Sequence, residues 1–366
     1  MSVLFGVDDA VSHQLIDVPR RYFANEAHEP MDDTRHAPPL ERLVESAENR
    51  AYEAVSGALG ELRTASTEDR KRALRELRRL ADDRPTAFES VLPAVTPFLT
   101  DDDRAVRLLT AKALVAVAEA APDAVAPAVP SLAERLADED EFYYVRARSA
   151  EALGYVALEH PDAVASPEVL ADLRVGLSFD EPEVKQKLAK ALECVALGDP
   201  GRLRHRVSAL AEHLDDRDEL VRYHLCTAVA VVGCDAPDSL AEARTALSAR
   251  LADENAFVRG RAAEALGLSV RGGGEAVRVP DSVLDAESDE AAEFVAERVR
   301  FLRAASEGES LESPAEGVGS LAGVRGTTDD AVDEITSPDA DGKCPHCGVD
   351  LPEGAPPMCP SCGAPY

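Results

Sequence analysis

The chain has 366 residues, of which 45% are hydrophobic and only 4% aromatic, with no tryptophan and a formal charge of −30. That much apolar residue supports a sizeable core, so the acidity is not the mark of a disordered chain. A charge this negative also argues against a body that sheathes nucleic acid. Abundant Ala and Leu with few aromatics favour helices over sheets.

The basic residues are lopsided, with 33 arginines against 6 lysines. An acidic, lysine-poor but well-patterned chain fits a cell interior of very high salt, where the charge is screened and keeps the protein soluble. The opening MSVLFGVDDA lacks a basic stretch and a sustained apolar run, so no secretion signal is read there. Residues 1–39 are polar, bounded by proline and without the periodicity of the body. From residue 40, LERLVESAENRAYEAVSGALGELRTA predicts an amphipathic helix that opens a stack. No stretch reaches the roughly 18 uncharged apolar residues that a spanning helix needs. The most apolar run is broken by Lys112, Glu119 and Asp123 and reads as a buried helix pair. A cytoplasmic protein with no membrane partner is expected, its cysteines reduced or metal-bound.

Between these ends lies a repeat. The pairs Val106-Arg107, Val145-Arg146, Val184-Lys185, Val221-Arg222 and Val258-Arg259 place their basic members 39, 39, 37 and 37 residues apart. Seven residues after each comes Leu114, Leu153, Leu192, Val229 or Leu266, always preceded by Ala. Eight residues before most of them stands Leu99, Leu177, Leu214 or Leu251, while the second unit carries an insertion after Leu136. A weaker copy, Leu62, Arg70 and Leu77, precedes these. Each unit predicts two helices, with joints marked by Pro and Asp as in EAAPDA, EHPDA, LGDPG and CDAPDS. A pair this small cannot bury its apolar face alone, so neighbours must stack into a solenoid.

The acidic turn, Val-Arg and Ala-x-x-x-Leu, as in DDDRAVRLLTAKAL and DENAFVRGRAAEAL, resemble the HEAT-repeat family over about residues 62–270. The resemblance implies an all-α solenoid of five to six helix pairs over residues 40–305, capped by a closing helix in DEAAEFVAERVRFLRAAS. It also implies that an Asp and the Arg bond across successive repeats, through Asp101, Asp138, Asp216 and Asp253, with Phe179 altering one rung. In that family the second helices line a concave face. Here the positions two and five after the basic residue include Lys112, Arg148, Lys187, Lys190, His224 and Arg261, a basic stripe within an acidic protein. The insertion adds Phe142, Tyr143 and Tyr144 together. Stripe and aromatics are candidate contacts for a protein partner, with an acidic segment as the complement. The plainer reading is a solvated helix face balanced by Glu151 and Glu264.

Residues 306–342 hold ten acids and one arginine among many Gly and Ser, and predict a disordered, self-repelling tether. In 343–366, Cys344, Cys347, Cys359 and Cys362 follow the spacing C-x2-C-x11-C-x2-C. Two residues between cysteines let one turn offer both sulfurs to one ion, and Gly348 and Gly363 free the backbone to fold back. The tail resembles the zinc-ribbon class, which implies one structural Zn2+. Four thiolates close the coordination sphere, leaving no place for a catalytic water. Cys194, Cys226 and Cys234 are expected to pack. There is no P-loop, G-x-S-x-G or H-E-x-x-H, and the single His-Glu pair, His28-Glu29, precedes the repeats. The sequence therefore predicts a non-enzymatic scaffold with a tethered zinc knob. The rival is an enzyme or nucleic-acid-acting relative that uses the mildly basic groove.

Overall fold

In the computed structural model the described residues are 46, 51–89, 91–286, 288–309 and 317–336. The N-terminal region 1–39 and the four tail cysteines lie outside them. The described residues are helical, without strands. Helices α1 (Tyr52–Leu62) and α2 (Thr67–Asp83) open the stack, and α3 (Arg104–Ala120) is the second helix of the first full unit. Then come the pairs α4 (Val129–Ala137) and α5 (Tyr143–Glu159), α6 (Pro167–Gly176) and α7 (Pro182–Gly198), α8 (Val207–Ala211) and α9 (Glu219–Asp235), and α10 (Arg244–Arg250) and α11 (Ala256–Arg271). Helix α12 (Asp289–Glu307) closes the stack.

The second helices run alike because their ends are specified alike. Asp103, Asp218 and Asn255 each accept backbone N–H bonds in the first turn, at 2.8–3.2 Å. At the far ends, Pro85, Pro122, Pro161, Pro200 and Pro237 each follow the last helical residue by two. A proline pushes the residue before it out of helical geometry. Arg84, Ala121, His160, Asp199 and Ala236 accordingly have ψ between 57° and 101°.

The first helices are less regular than their leucine spacing predicts. Pro93 and Pro97 sit in a short α turn, Leu92–Val95, and a 3₁₀ turn, Thr96–Thr100. Another 3₁₀ segment spans Pro237–Ala243. Proline removes the donor that a continuous helix would use, so these layers are assembled from single turns. Their apolar side chains still reach the core: Leu99, Leu136, Leu177, Leu203, Leu214 and Leu251 are all buried.

Successive second helices pack in the order α2, α3, α5, α7, α9, α11, α12. The repeat positions carry this packing. Val106, Val145, Val184, Val221 and Val258 are buried, as are Ala111, Ala150, Ala189, Cys226 and Ala263 in the small-residue slot. Gly154 shows why that layer needs small residues, since a Cβ there would sit 2.8 Å from the Ala191 backbone. Burial pushes the Cys226 thiol up to about 12, which suits a packing residue rather than a nucleophile.

A ladder of polar contacts joins the units along their loops. Arg70 pairs with Asp101 at 2.8 Å, Lys185 with Asp216 at 2.6 Å, and Arg222 with Asp253 through two bonds of 2.8 Å. Arg107 departs from the expected partner. It grips Glu141 at 2.6 and 2.7 Å, because the insertion brings this acid under it, while Asp138 instead pairs with Arg135. Where Phe179 replaces the acid, the Arg146 guanidinium lies 4.8 Å from the ring centroid. Arg259, facing the cap, donates to the Val283 carbonyl at 3.1 Å. Arg107, Arg222 and Arg259 also each donate to two carbonyls of their own loop.

Residues 317–336 do not form the expected disordered tether. They fold as α13 (Leu321–Gly326) and α14 (Thr328–Thr336), with Val324, Thr328 and Ala331 buried against the stack. The acids of α14 face outward, so the charge that suggested disorder is solvated while the small residues pack inward.

Arg222→Ala should destabilise the chain by about 3–5 kcal/mol, because it breaks a buried two-bond ion pair and leaves Asp253 with Arg250 as its remaining cation, at 3.1 Å. Lys71→Ala releases only 3.4 Å contacts to Glu68 and Asp103 and should cost under about 1 kcal/mol. Urea unfolding followed by helicity checks both, and equal losses would refute the ladder's role.

Candidate functional site

Once the ladder has used the first basic residue of each second helix, the positions two and five later form a row on the opposite side of the loop joint. In the N-terminal half no described segment lies over the row, and Arg148, Lys187 and Lys190 are partly exposed. Arg148, on α5, pairs with Glu151 at 2.7 Å and Glu183 at 2.8 Å. Lys187, on α7, meets the other oxygen of Glu151 at 2.8 Å. Burial works to raise the Glu151 pKa, but Lys187 and Arg148 outweigh it and hold the carboxyl below its usual range. Lys190 lies one turn further on, donating to the Tyr155 hydroxyl at 2.7 Å with its ammonium 4.7 Å from that ring's centroid.

Lys112, on α3, is different. It is half-buried, and among the described residues it makes no hydrogen bond or ion pair. Burial, then the nearby Arg148 and Arg78 cations, lower its pKa below the ordinary lysine value. Four cations of the row are thus answered mainly by Glu151 and Glu183. Phe142, Tyr143 and Tyr144 stand at the start of α5 and pack against one another in tilted and edge-on contacts, with centroids 4.6–5.4 Å apart. Arg104 lies over the Phe142 ring. The three rings are partly buried, so much of their surface is spent within the cluster.

In the C-terminal half the row is covered, which corrects the expectation that His224 and Arg261 are open to a partner. His224 Nδ1 is 2.9 Å from Glu193, both side chains being buried. Arg261 is fully buried. Its Nη1 donates to Glu264 at 2.7 Å, and its Nη2 reaches the Thr327 hydroxyl at 2.9 Å and the Val324 carbonyl at 3.1 Å. Arg298 of α12 donates to the same Glu264 oxygen at 3.1 Å and to Thr327 at 3.0 Å. The other Glu264 oxygen accepts the Gly319 N–H at 2.8 Å. Arg325 donates to the Leu197 carbonyl at 3.0 Å, tying the segment to α7.

Neither α13, α14 nor Arg298 was among the residues the sequence singled out. A signal exists: Val324, Thr328, Ala331, Val332 and Ile335 follow helical spacing, and Ser320 caps α13 by accepting from Gly323 N. Gly319 is the entry point. Its φ is +82°, and a Cβ there would collide with the Phe301 ring. The zinc-ligand candidates Cys344, Cys347, Cys359 and Cys362 lie outside the described residues. Among the described residues there is no cluster that could hold a metal, and no helix is long and apolar enough to cross a membrane.

Burial works to raise the Glu264 pKa, but Arg261, Arg298 and the Gly319 N–H outweigh it and hold it below the usual range. With the folded value depressed, the stabilisation is complete above the unfolded carboxyl value of about 4.3 and is lost as pH falls through the folded value. Glu264→Gln should therefore lower stability by about 3–5 kcal/mol at pH 7 and remove this part of the acid limb. Thermal melts from pH 7 to pH 3 read both effects, and an unchanged acid limb would count against the assignment.

A family model described as HEAT repeats matches residues 55–154. Solved structures share the fold. An engineered protein aligns at TM-score 0.55 and 22% identity, covering 71% of this chain and 73% of that one. A designed armadillo repeat protein aligns at TM-score 0.52 and 19% identity, covering 64% of this chain and 100% of that one. Computationally designed armadillo repeat proteins for modular peptide recognition align at TM-score 0.51 and 19% identity, over 63% and 99%. No curated protein matches. The described residues thus form an all-helical repeat solenoid, the fold these structures share, with similarity to HEAT repeats over residues 55–154.

Proposed function

We propose that this protein is an interaction scaffold, and that the N-terminal half of its second-helix face takes an extended acidic segment of a partner protein. The observation that carries the reading is Lys112, a half-buried cation that forms no ion pair or hydrogen bond among the described residues. It lies beside Arg148 and in one row with Lys187 and Lys190, with Glu151 and Glu183 shared among the four. A free ammonium held among other cations favours an incoming carboxylate. Because it is partly buried, such a contact persists at ionic strengths that screen surface pairs. Designed armadillo proteins made for peptide recognition share this architecture, which supports a peptide-like ligand. Tyr143 and Tyr144, at the mouth of the same face, would supply apolar contact area.

In this reading the tail is a second docking element. Cys344, Cys347, Cys359 and Cys362 hold one structural Zn2+ through four thiolates, and metal binding supplies the folding free energy that so short a segment lacks. The acidic composition belongs to a protein working in a high-salt cytoplasm.

A labelled hexaglutamate peptide titrated against the whole protein should bind, and Lys112→Glu with Lys187→Glu should weaken it at least tenfold, about 1.4 kcal/mol or more. The same double variant should lose partners captured from a high-salt lysate. Unchanged titration and capture would reject the proposal. Elemental analysis should find about one zinc per chain, and none after Cys344→Ser with Cys359→Ser.

A further inference from the structure

The segment 317–336 lies over the C-terminal half of the row whose N-terminal half no described segment covers. Arg261 and Glu264 occupy the same two repeat positions as Lys187 and Lys190, and as Arg148 and Glu151. We propose that the C-terminal half of this face is a docking site for a short helix, and that residues 317–336 are its resident ligand, held in cis and exchangeable with a helix of the same pattern from a partner. The inference extends the scaffold reading but stands on separate residues.

The contacts are those of a ligand rather than of another repeat. The segment comes after the closing helix α12. Although Val324-Arg325 and Ala331-Val332 keep the spacing of a repeat, Gly317 stands where the repeats have a leucine, and an exposed Asp329 fills the small-residue slot. Arg325 donates to the Leu197 carbonyl instead of to an acid of a next unit. Its recognition is directed at the main chain and at hydroxyls. Glu264 accepts the Gly319 N–H, Arg261 donates to the Val324 carbonyl, and Arg261 and Arg298 converge on the Thr327 hydroxyl. Remove the segment and Arg261, Arg298 and Glu264 each lose partners that no other described residue supplies. A fixed set of charged groups left facing an emptied surface is a site poised for the same backbone and hydroxyl pattern.

Exchange is favoured because the apolar anchoring is thin. Only Val324 and Ala331 are fully buried apolar residues of the segment, with Val318, Val332 and Ile335 packed partly. Leu321, Arg325, Asp329, Asp330, Asp333 and Glu334 remain exposed. Few buried apolar contacts and short helices mark a region of low local stability. The same contacts define the ligand pattern. It is a short turn that offers an N–H to Glu264, then Val, Thr and Ala at i, i+4 and i+7, with acidic residues on the outer face.

The test uses the whole chain and leaves the solenoid untouched. Val324→Asp with Ala331→Asp should eject the segment, seen as loss of amide-exchange protection across 320–336 with protection of α3 to α12 retained. The probe is a labelled synthetic peptide of residues 317–336. It should bind the double variant at least tenfold more tightly than the wild type, whose site is filled. The same peptide carrying Val324→Asp should bind neither. Equal binding to wild type and variant, or no binding once the segment is shown to be released, would overturn the proposal. Loss of protection throughout α9 to α12 would do so too, since the segment would then be an integral part of the fold. These readouts do not pass through Lys112 or Lys187, so failure here and failure of the acidic-peptide titration are separable.

Discussion

The bond from the basic residue of one unit to the acid of the next is the contact on which the stack depends. Apolar packing between second helices is made largely of Ala, Leu and Val, and such surfaces slide past one another at little cost. In a solenoid each repeat touches only its neighbours, so the rotation between them must be set locally. A guanidinium that holds two carbonyls of its own loop and a carboxylate of the next has one good geometry. Arg222 shows the full arrangement, with Asp216 O, Arg217 O and both oxygens of Asp253 as partners. It closes one turn and orients the following unit at once.

That assignment decides what the rest of each second helix is free to do. The valine and small-residue positions are held by the core, and the basic position is held by the ladder. The positions two and five after it are bound by neither. Within this one chain they vary from Leu109 to Arg148, Lys187, His224 and Arg261, while the buried set barely changes. Variation of that kind on an otherwise repeated frame is where recognition can be written without disturbing the fold.

The frame was legible in the sequence because each of its parts has a short-range cause: a spacing, a cap, or a proline two residues past a helix end. The exchange of Asp138 for Glu141 was not, because the insertion shifts which acid lies under Arg107, and three residues cannot be resolved without the loop's path. The irregular first layer was missed for a related reason. Leucine spacing reports which side chains are buried, and it stays correct when prolines break the backbone that carries them. The covered half of the face is the largest difference. Composition reads Asp329, Asp330, Asp333 and Glu334 as repulsion, yet on α14 they share the solvent side. The partner that makes the helix worthwhile is a buried Arg261 some 60 residues earlier.

Arg261 itself is not explained by stability. An apolar side chain would fill the same space without the desolvation of a guanidinium, and its Nε has no partner. What the charge adds is direction. Nη1 is committed to Glu264, which is in turn fixed by Arg298, and Nη2, which touches the Tyr223 hydroxyl at 3.2 Å, makes its shorter bonds to the Thr327 hydroxyl and the Val324 carbonyl of the segment above. That sets the register of Val324, Thr327 and Thr328, which shallow apolar contacts alone would leave loose. The corresponding cations of the earlier repeats, Arg148 and Lys187, are likewise braced by a carboxylate, Glu151. The two halves thus share one device, a cation oriented from below by an acid, and a described segment lies over it in the C-terminal half.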